Sequence, residues 1–327
     1  MKIFVTGGAG FIASAFIKFY LNIDKKAKVL NIDKLGYASN LARLKQISSH
    51  PNYSFKKINL CNKKVLEDVI NQFEPDTIVH FAAESHVDNS INKPDDFINS
   101  NIIGTFNLLS SVTKLKNKPC FIHISTDEVY GSCTKGEFKE TNRYNPSSPY
   151  SASKASSDLL VNAWNKTFDL KTLIINSTNN YGPYQFPEKF IPVIICNALL
   201  GKKIPIYGDG KYVRDWIHVQ DNVEAIFELI NKKKYGGQYN IGAQQKKNNL
   251  WIVNKILKIL ENLTRVKYDH LVKHVKDRPG HDRRYSVNTS KIEKEIGWST
   301  KIKIEEGLKS TVEWYYYNQK WWKMLRG

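Results

Sequence analysis

Tyr150 and Lys154 stand four residues apart at the start of a predicted helix, so their side chains lie on one face of it. A lysine cation beside a phenol favours the phenolate and therefore lowers the tyrosine pKa toward neutrality. Such a tyrosine can take a proton from a hydroxyl group while a hydride leaves the same carbon. Because a tyrosine–lysine pair can also be purely structural, the surrounding residues must decide between the two interpretations.

Thr126, Asp127 and Glu128 form a consecutive polar triplet at the end of a predicted strand. In a doubly wound parallel sheet the carboxyl ends of the strands face the ligand crevice, so the triplet is expected at a binding site. Two adjacent carboxyl groups can act there as an acid–base pair. The competing interpretation is a solvated turn.

A glycine-rich turn connects the first predicted strand to the first predicted helix, with Gly7, Gly10 and then Ala13 at three-residue spacing. Glycines there allow a tight turn and let the backbone approach a pyrophosphate at the helix N-terminus. Asp33 ends the second strand about 20 residues further on, where a carboxylate can accept hydrogen bonds from an adenosine ribose. Since a carboxylate repels a 2′-phosphate, NAD is favoured over NADP, although Lys34 weakens that preference. The alternative is that Asp33 only caps a turn.

The elements that position these residues alternate along the first half of the chain. Strand patterns cover residues 3–6, 28–32, 77–81, 121–125 and 171–176. Helical patterns cover residues 11–22, 65–72, 95–116 and 151–168. This alternation predicts the α/β class, with a doubly wound parallel (Rossmann) sheet and crossover helices.

Loop signals become denser after residue 176, and the helices between them look shorter. We therefore expect a dinucleotide-binding domain over residues 1–176, to which some later segments return. Residues 177–327 are expected to form a smaller mixed α/β domain, interleaved with the first and mainly binding the substrate.

Composition excludes several classes of protein. The chain has 327 residues, of which 41% are hydrophobic. No apolar run reaches the roughly 18–20 residues of a membrane span, and the N-terminus lacks the pattern of a signal peptide. We therefore expect a cytoplasmic protein without a membrane partner. The four cysteines are scattered, which predicts neither a metal site nor a disulfide framework: Cys61, Cys120, Cys133 and Cys196.

The formal net charge of +18 raises the possibility of nucleic-acid binding. The excess is mostly lysine spread along the chain, which is typical of solvated surfaces. We therefore expect no nucleic-acid partner and instead a general attraction for anionic substrates.

Taken in order, the glycine turn, the acid, the strand-end hydroxyl and the tyrosine–lysine pair resemble the extended short-chain dehydrogenases. More narrowly, the chain resembles the dTDP-glucose 4,6-dehydratases over nearly all of its length. The motifs that carry this resemblance are residues 82–88, 125–131, 150–158, 179–192, 214–216 and 277–281. Consecutive Asp127 and Glu128 are decisive, because related epimerases and decarboxylases usually lack this pair.

The resemblance implies a three-step reaction on a nucleotide sugar with recycled NAD. Tyr150, assisted by Thr126, removes the proton of the C4 hydroxyl while hydride passes to NAD. Glu128 then takes the C5 proton as general base, and Asp127 donates a proton to the departing C6 hydroxyl. Hydride returns to C6, giving a 4-keto-6-deoxy sugar. Asp127 must be protonated near neutral pH, which burial beside Glu128 would favour.

The resemblance also implies binding residues. Cofactor contacts are expected from Gly7, Gly10, Phe11, Ile12, Asp33, Lys34, Leu35, Asn59, Leu60, Ala82, Ala83, Ser100, Tyr150, Lys154 and Asn180. Substrate contacts are expected from Ser85, Thr126, Asn179, Glu188, Lys189, Tyr207, Arg214, Asn249, Arg278 and His281. Asn59 stands where the family commonly has an aspartate, and residues 242–249 depart from the usual run.

Alternative activities share the same residues. A 4,6-dehydratase of UDP-glucose or another nucleotide sugar would have the same Thr126, Asp127 and Glu128 triplet. This triplet disfavours an epimerase. A non-catalytic binding module for sugar nucleotides would not need the triplet. The resemblance further implies a homodimer, formed by pairing residues 95–116 and 151–168 with their copies. Products of this family commonly supply deoxysugars such as rhamnose for surface polysaccharides.

Overall fold

The computed structural model describes residues 1–326; Gly327, the last residue of the predicted second domain, lies outside the described residues. The strands are β1 Lys2–Thr6, β2 Lys28–Asp33, β3 Tyr53–Lys57, β4 Thr77–His80, β5 Cys120–Thr126, β6 Thr172–Ser177, β7 Asn179–Tyr181, β8 Ile204–Tyr207, β9 Val213–His218, β10 Gly237–Ile241, β11 Lys246–Asn248 and β12 Val272–Val275. The helices are α1 Phe11–Ile23, α2 Lys63–Phe73, α3 Val87–Asn92, α4 Pro94–Phe97, α5 Gly104–Thr113, α6 Pro149–Phe168, α7 Phe190–Leu199, α8 Val219–Asn231, α9 Asn249–Thr264, α10 Ser290–Ile296, α11 Ile304–Tyr317 and α12 Gln319–Arg326.

A seven-stranded sheet of order β10-β6-β5-β4-β1-β2-β3 lies at the centre of the fold. All of its strand pairs are parallel. Its inner strands are buried along most of their length, as expected when helices cover both faces of a parallel sheet. The predicted doubly wound sheet is therefore confirmed. The chain crosses from one half of the sheet to the other after β3, which opens a crevice beyond the carboxyl ends of β1 and β4.

Two local predictions differ from the structure. No strand was predicted at β3, because only Tyr53 and Phe55 of this edge strand are even partly buried. The predicted helix 95–116 is interrupted by a π-helical turn, Ile98–Ile103, and ends at Thr113. Asn101 accounts for this turn: its side chain accepts from the Glu84 amide (2.8 Å) and donates to the Ser153 hydroxyl (2.8 Å).

The later part of the chain builds smaller sheets. β7 pairs with β9 in parallel, β11 pairs with β9 antiparallel, and β12 pairs with β8 in parallel. A separate apolar core lies among α7, α9, α11 and α12. β10 returns to the large sheet beside β6. The division at residue 176 stays a prediction. Among residues 1–326, no helix combines the length and apolar character required for crossing a membrane.

Candidate active site

A cleft follows the carboxyl ends of β1, β2, β4, β5 and β6 and holds the five predicted catalytic residues. Of the predicted cofactor residues, all but Leu35 line this cleft. Of the predicted substrate residues, Ser85, Thr126, Asn179 and Lys189 line it, and six others lie outside its lining: Glu188, Tyr207, Arg214, Asn249, Arg278 and His281.

The glycine turn leaves no room for side chains. Gly7 has φ +69°, and a Cβ there would lie 2.6 Å from the Cα of Ala82. A Cβ on Gly8 would lie 2.0 Å from the side-chain oxygen of Asn31. Helix α1 begins after Gly10 without a side-chain cap, so its first amides remain free for an anion. The turn therefore fits the pyrophosphate of a dinucleotide.

Asp33 organises the loop beside that turn. Its carboxylate accepts hydrogen bonds from the amides of Ala9 (3.0 Å) and Leu35 (2.7 Å), and from the Ser39 hydroxyl (2.9 Å). Asp33 therefore both caps this loop and lines the cleft. Leu35, although outside the cleft lining, sits at φ +57° because this loop turns sharply after the strand.

Arg43 was not among the sequence candidates, yet it lines the cleft and is 1% exposed. Its guanidinium donates to the carbonyls of Ala9 (2.8 Å), Ala38 (2.9 Å) and Tyr184 (2.9 Å). Burial lowers the pKa of Arg43 to about 10. The residue connects the glycine turn to the segment after β7. No sequence motif indicated a role for Arg43, since an isolated arginine of this kind is usually a surface residue.

Tyr150 lies in the first turn of α6, which Ser148 and Ser151 stabilise as a capping box. The predicted lowering of its pKa by Lys154 is wrong in this structure. Burial raises the pKa of Tyr150, the negative charge of Glu128 raises it further, and the nearby Thr126 hydroxyl only partly opposes this. Lys154 instead donates to the Ile124 carbonyl at 2.8 Å.

Asp127 and Glu128 begin the 3-10 turn Asp127–Tyr130 that follows β5, with Thr126 as its N-cap. Asp127 is 3% exposed, which excludes a freely solvated turn. Burial, and then the charge of Glu128, raise the pKa of Asp127 well above its usual range. Burial also raises the pKa of Glu128, while Arg278 and other cations oppose that shift. A protonated Asp127 is the state that an acid requires.

Tyr285 and Asp282 extend the site and were missed from the sequence. The Tyr285 hydroxyl donates to Asp282 Oδ2 at 2.8 Å and lies 3.3 Å from Glu128 Oε2. Arg214 stacks its guanidinium 4.1 Å from the Tyr285 ring and donates to the Asp282 carbonyl. Arg214 is therefore close to the acidic pair although it does not line the cleft. Tyr285 lies four residues beyond the 277–281 motif, with no pattern to mark it.

Arg278 and Tyr207 converge on Asp88. Arg278 Nη1 lies 2.8 Å from one carboxylate oxygen, and the Tyr207 hydroxyl donates to the other at 3.0 Å. Asp88 belongs to the 82–88 motif but was not predicted as a site residue. Arg278 is far from the 82–88 segment along the sequence, so no local pattern predicts this contact.

His281 stacks on Tyr212, with ring centroids 3.8 Å apart and planes 9° from parallel. Its Nδ1 lies 2.7 Å from Asp277 Oδ1. Burial lowers the pKa of His281 to about 4. The Asn249 amide donates to the Tyr212 carbonyl at 3.0 Å, which places the start of α9 beside the same ring.

The segment after β7 supplies the last predicted contacts. Lys189 donates to the Ser85 carbonyl at 2.7 Å, and Glu188 accepts from the Tyr37 hydroxyl at 2.8 Å. These bonds join the segment to two loops of the large sheet. Within residues 1–326, no group of three or more potential ligands is placed to hold a metal ion.

Comparison with known proteins gives consistent matches over the whole chain. The sequence profile of the family described as GDP-mannose 4,6 dehydratase matches residues 4–311. A curated dTDP-glucose 4,6-dehydratase of Haemophilus influenzae is 47% identical, with 97% of this chain and 98% of that protein covered. The crystal structure of dTDP-glucose 4,6-dehydratase from Bacillus anthracis in complex with NAD is 44% identical, with a TM-score of 0.90 and 99% of both chains covered. DesIV, a dTDP-glucose 4,6-dehydratase from Streptomyces venezuelae with NAD and TYD bound, is 38% identical, with a TM-score of 0.94, 99% of this chain and 100% of that chain covered.

Proposed function

Because the chain belongs to the dTDP-glucose 4,6-dehydratase family, we propose that it converts dTDP-glucose to dTDP-4-keto-6-deoxyglucose and water. The observation that carries this proposal is the buried Asp127 beside Glu128, in the same cleft as Tyr150 and Lys154. An enzyme that only oxidised and reduced a sugar would have no use for this second acid–base pair.

NAD is the cofactor, and the glycine turn, the free amides of α1 and the Asp33 carboxylate are the groups that would hold it. When bound, NAD accepts hydride from C4 of the sugar and returns it to C6. The protein contributes the proton transfers and the alignment of the hexose. Lys34 pairs with Glu84, so its charge does not cancel the repulsion between Asp33 and a 2′-phosphate.

Tyr150 takes the proton of the C4 hydroxyl, with the Thr126 hydroxyl beside it. Burial and the charge of Glu128 raise the pKa of Tyr150, so nearby positive charge or the loss of negative charge favours its action as a base. Protonation of Asp127 works in that direction, because it removes one of the negative charges that raise this pKa.

Glu128 removes the C5 proton, which the C4 ketone has made acidic, and Asp127 donates a proton to the departing C6 hydroxyl. Burial and the charge of Glu128 raise the pKa of Asp127 well above its usual range, whereas Arg278, Arg214 and Lys189 oppose the rise that burial causes at Glu128. Two neighbouring carboxyl groups whose pKa values are pushed apart can serve as acid and base at one pH.

The diphosphate of the substrate is bound chiefly by Arg214 and Arg278, which lie outside the cleft lining and whose charges act on Glu128. A guanidinium offers several directed donors to phosphate oxygens. The Asp88 carboxylate binds Nη1 of Arg278 and so fixes the orientation in which the guanidinium meets the phosphate oxygens. The net charge of +18 adds a long-range attraction for this anion.

The enzyme works as a homodimer through α5, α6 and the π-helical turn. Large apolar side chains on these segments are more than one third exposed: Ile98 45%, Ile103 41%, Phe106 38%, Leu159 61% and Phe168 39%. Exposed apolar side chains clustered on adjacent helices favour an isologous four-helix contact. Sedimentation should give a particle of twice the chain mass, and Leu159→Lys should weaken the association.

The cellular setting is the cytoplasm, in the synthesis of deoxysugars such as rhamnose for surface polysaccharides. The four cysteines are unpaired, and Cys61 is exposed, which suits a reducing compartment.

The test is incubation of the purified chain and NAD with dTDP-glucose, UDP-glucose and UDP-N-acetylglucosamine, scored for 4-keto-6-deoxy product. We expect turnover with dTDP-glucose at the highest kcat/KM. Preference for a UDP-sugar would show that dTDP-glucose is not the substrate, and a C4-epimeric product would show that the reaction is an epimerisation. Absence of turnover with every sugar nucleotide would favour a binding module.

A further inference from the structure

A cluster of buried titratable side chains is centred on the ammonium of Lys154, and its members other than the lysine have no part in the proposed reaction. It consists of Lys154 and Asp158 on α6, His123 on β5 and His80 on β4, and we refer to it as the lysine cluster. These residues are 0–3% exposed. His80 and His123 are register partners on neighbouring strands, and their rings lie 5.2 Å apart.

His123 lies between the two charged groups of the cluster. Its Nε2 is 3.4 Å from Lys154 Nζ and 3.2 Å from Asp158 Oδ1. The contact to Asp158 is close without the geometry of a hydrogen bond, and neither Asp158 Oδ1 nor His123 Nδ1 has a hydrogen-bond partner among the described residues. His80, in contrast, is fully engaged by the hydroxyls of Thr6 and Thr105.

The second oxygen of Asp158 is surrounded by donors. Oδ2 accepts from the hydroxyls of Ser125 (2.8 Å) and Tyr144 (2.9 Å), and more weakly from the amide of Asn176 (3.4 Å). Three neutral donors on one oxygen stabilise the ionised carboxylate in a place where an isolated charge would be costly. These donors therefore favour an ionised Asp158 carboxylate near the buried ammonium of Lys154.

We propose that Asp158 is a positioning residue that keeps Lys154 protonated and, with His123 between them, fixes the ammonium at the Ile124 carbonyl. Lys154 lies on the helix that carries Tyr150. This inference rests on the proposed function, since it assigns a task to residues around the tyrosine–lysine pair. It goes beyond that function in naming the counter-charge on which the lysine depends.

The electrostatics agree with this assignment. Burial lowers the pKa of Lys154 to about 8, and the charge of Asp158 opposes that shift. Burial raises the pKa of Asp158 to about 6, against the charge of Lys154. The other titratable groups that face the lysine are neutral between these values: burial holds the pKa of His80 and of His123 well below the usual range, and it raises that of Tyr150. Asp158 is thus the charged partner.

The test is an NMR titration of the ligand-free chain labelled at lysine ¹³Cε, with the Lys154 resonance assigned from its loss in Lys154→Met. We expect Asp158→Asn, which keeps the shape and the acceptor, to lower the pKa of Lys154 by roughly one unit or more. Asp221→Asn, which removes a carboxylate that is also buried (1% exposed) but lies on α8, should leave it unchanged. A Lys154 pKa in Asp158→Asn equal to that of the unmodified chain would overturn the proposal.

A second readout uses the unmodified chain, in case Asp158→Asn does not fold. The Lys154 resonance should show a smaller inflection near the pKa of Asp158 before its own main titration, and a single inflection would overturn the proposal. In the enzyme assay, Asp158→Asn should move the alkaline limb of kcat/KM to lower pH, whereas a merely structural role would lower the rate at every pH. Absence of turnover in the unmodified chain would refute the proposed function without altering the NMR result.

Discussion

The Nζ of Lys34 lies 2.6 Å from Glu84 Oε1 and 2.8 Å from the Ser100 hydroxyl. The lysine is therefore paired across the cleft with the loop after β4, while its neighbour Asp33 is occupied by backbone amides and Ser39. This pairing would allow a cation next to Asp33 to coexist with the proposed preference for NAD over NADP.

Glu84→Gln should release that cation and narrow the preference for NAD over NADP. We expect the ratio of the two dissociation constants to fall roughly threefold to tenfold, since a part-buried ion pair contributes on the order of 1 kcal/mol. Calorimetric titration with both cofactors measures this ratio. Glu224→Gln, which removes the partner of Lys301 far from the cleft, is the matched control. An unchanged ratio would mean that Lys34 does not act on the cofactor site.

Asp127→Asn should separate oxidation from dehydration. The amide cannot donate a proton as an acid does, so water loss should slow by about 10²- to 10⁴-fold while oxidation at C4 continues. Reduced cofactor should then accumulate during a single turnover, seen by its absorbance. If the variant forms product at the rate of the unmodified enzyme, Asp127 has no role as the acid.

Arg214→Gln should shift the pH–rate profile as a whole. The charge of Arg214 lowers the pKa of both Asp127 and Glu128, so its removal raises both values. Activity requires ionised Glu128 and protonated Asp127. Both limbs of kcat should therefore move to higher pH, by about one unit. Arg265→Gln, at the exposed end of α9, should leave the profile in place; a profile of unchanged position in Arg214→Gln would contradict the electrostatic coupling.

Arg43→Met should weaken both the fold and cofactor binding. Three backbone carbonyls, one buried and two partly buried, would lose their donor, which we expect to cost about 2–4 kcal/mol of the free energy of unfolding. NAD affinity should also fall, because the Ala9 carbonyl belongs to the glycine turn. Urea denaturation and calorimetry measure the two effects. Lys45→Met, on the same 3-10 turn but exposed, is the control, and equal stability of both variants would show that Arg43 is not a structural tie.

Much of the fold was predictable because its signals are local. Apolar strands followed by glycines or acids mark β1 and β2, and the capped start of α6 places Tyr150 and Lys154 on one helix face. Edge strand β3 was missed because its pattern is weak in a segment that is half exposed. The π-helical turn was missed because its cause, the bonds of Asn101 to Glu84 and Ser153, lies outside the helix.

The site was predictable only where residues stand together in a motif. Asp127 and Glu128 were found because they are adjacent, whereas Tyr285, Arg43 and Asp88 depend on contacts across more than a hundred residues. The pKa of Tyr150 was wrongly predicted because spacing shows which face a side chain occupies but not where its terminal atom points. Lys154 turns to Ile124 and His123, and the charges nearest to Tyr150 are negative.

In the proposed reaction one hexose meets Tyr150, Asp127 and Glu128 in a single site, so that hydrogen removed from C4 is returned within the same molecule. The most direct measurement is the reaction of dTDP-glucose deuterated at C4, followed by NMR or mass analysis of the product. We expect a 4-keto-6-deoxy sugar with the deuterium at C6. Deuterium that remains at C4, or that is lost to solvent, would contradict it.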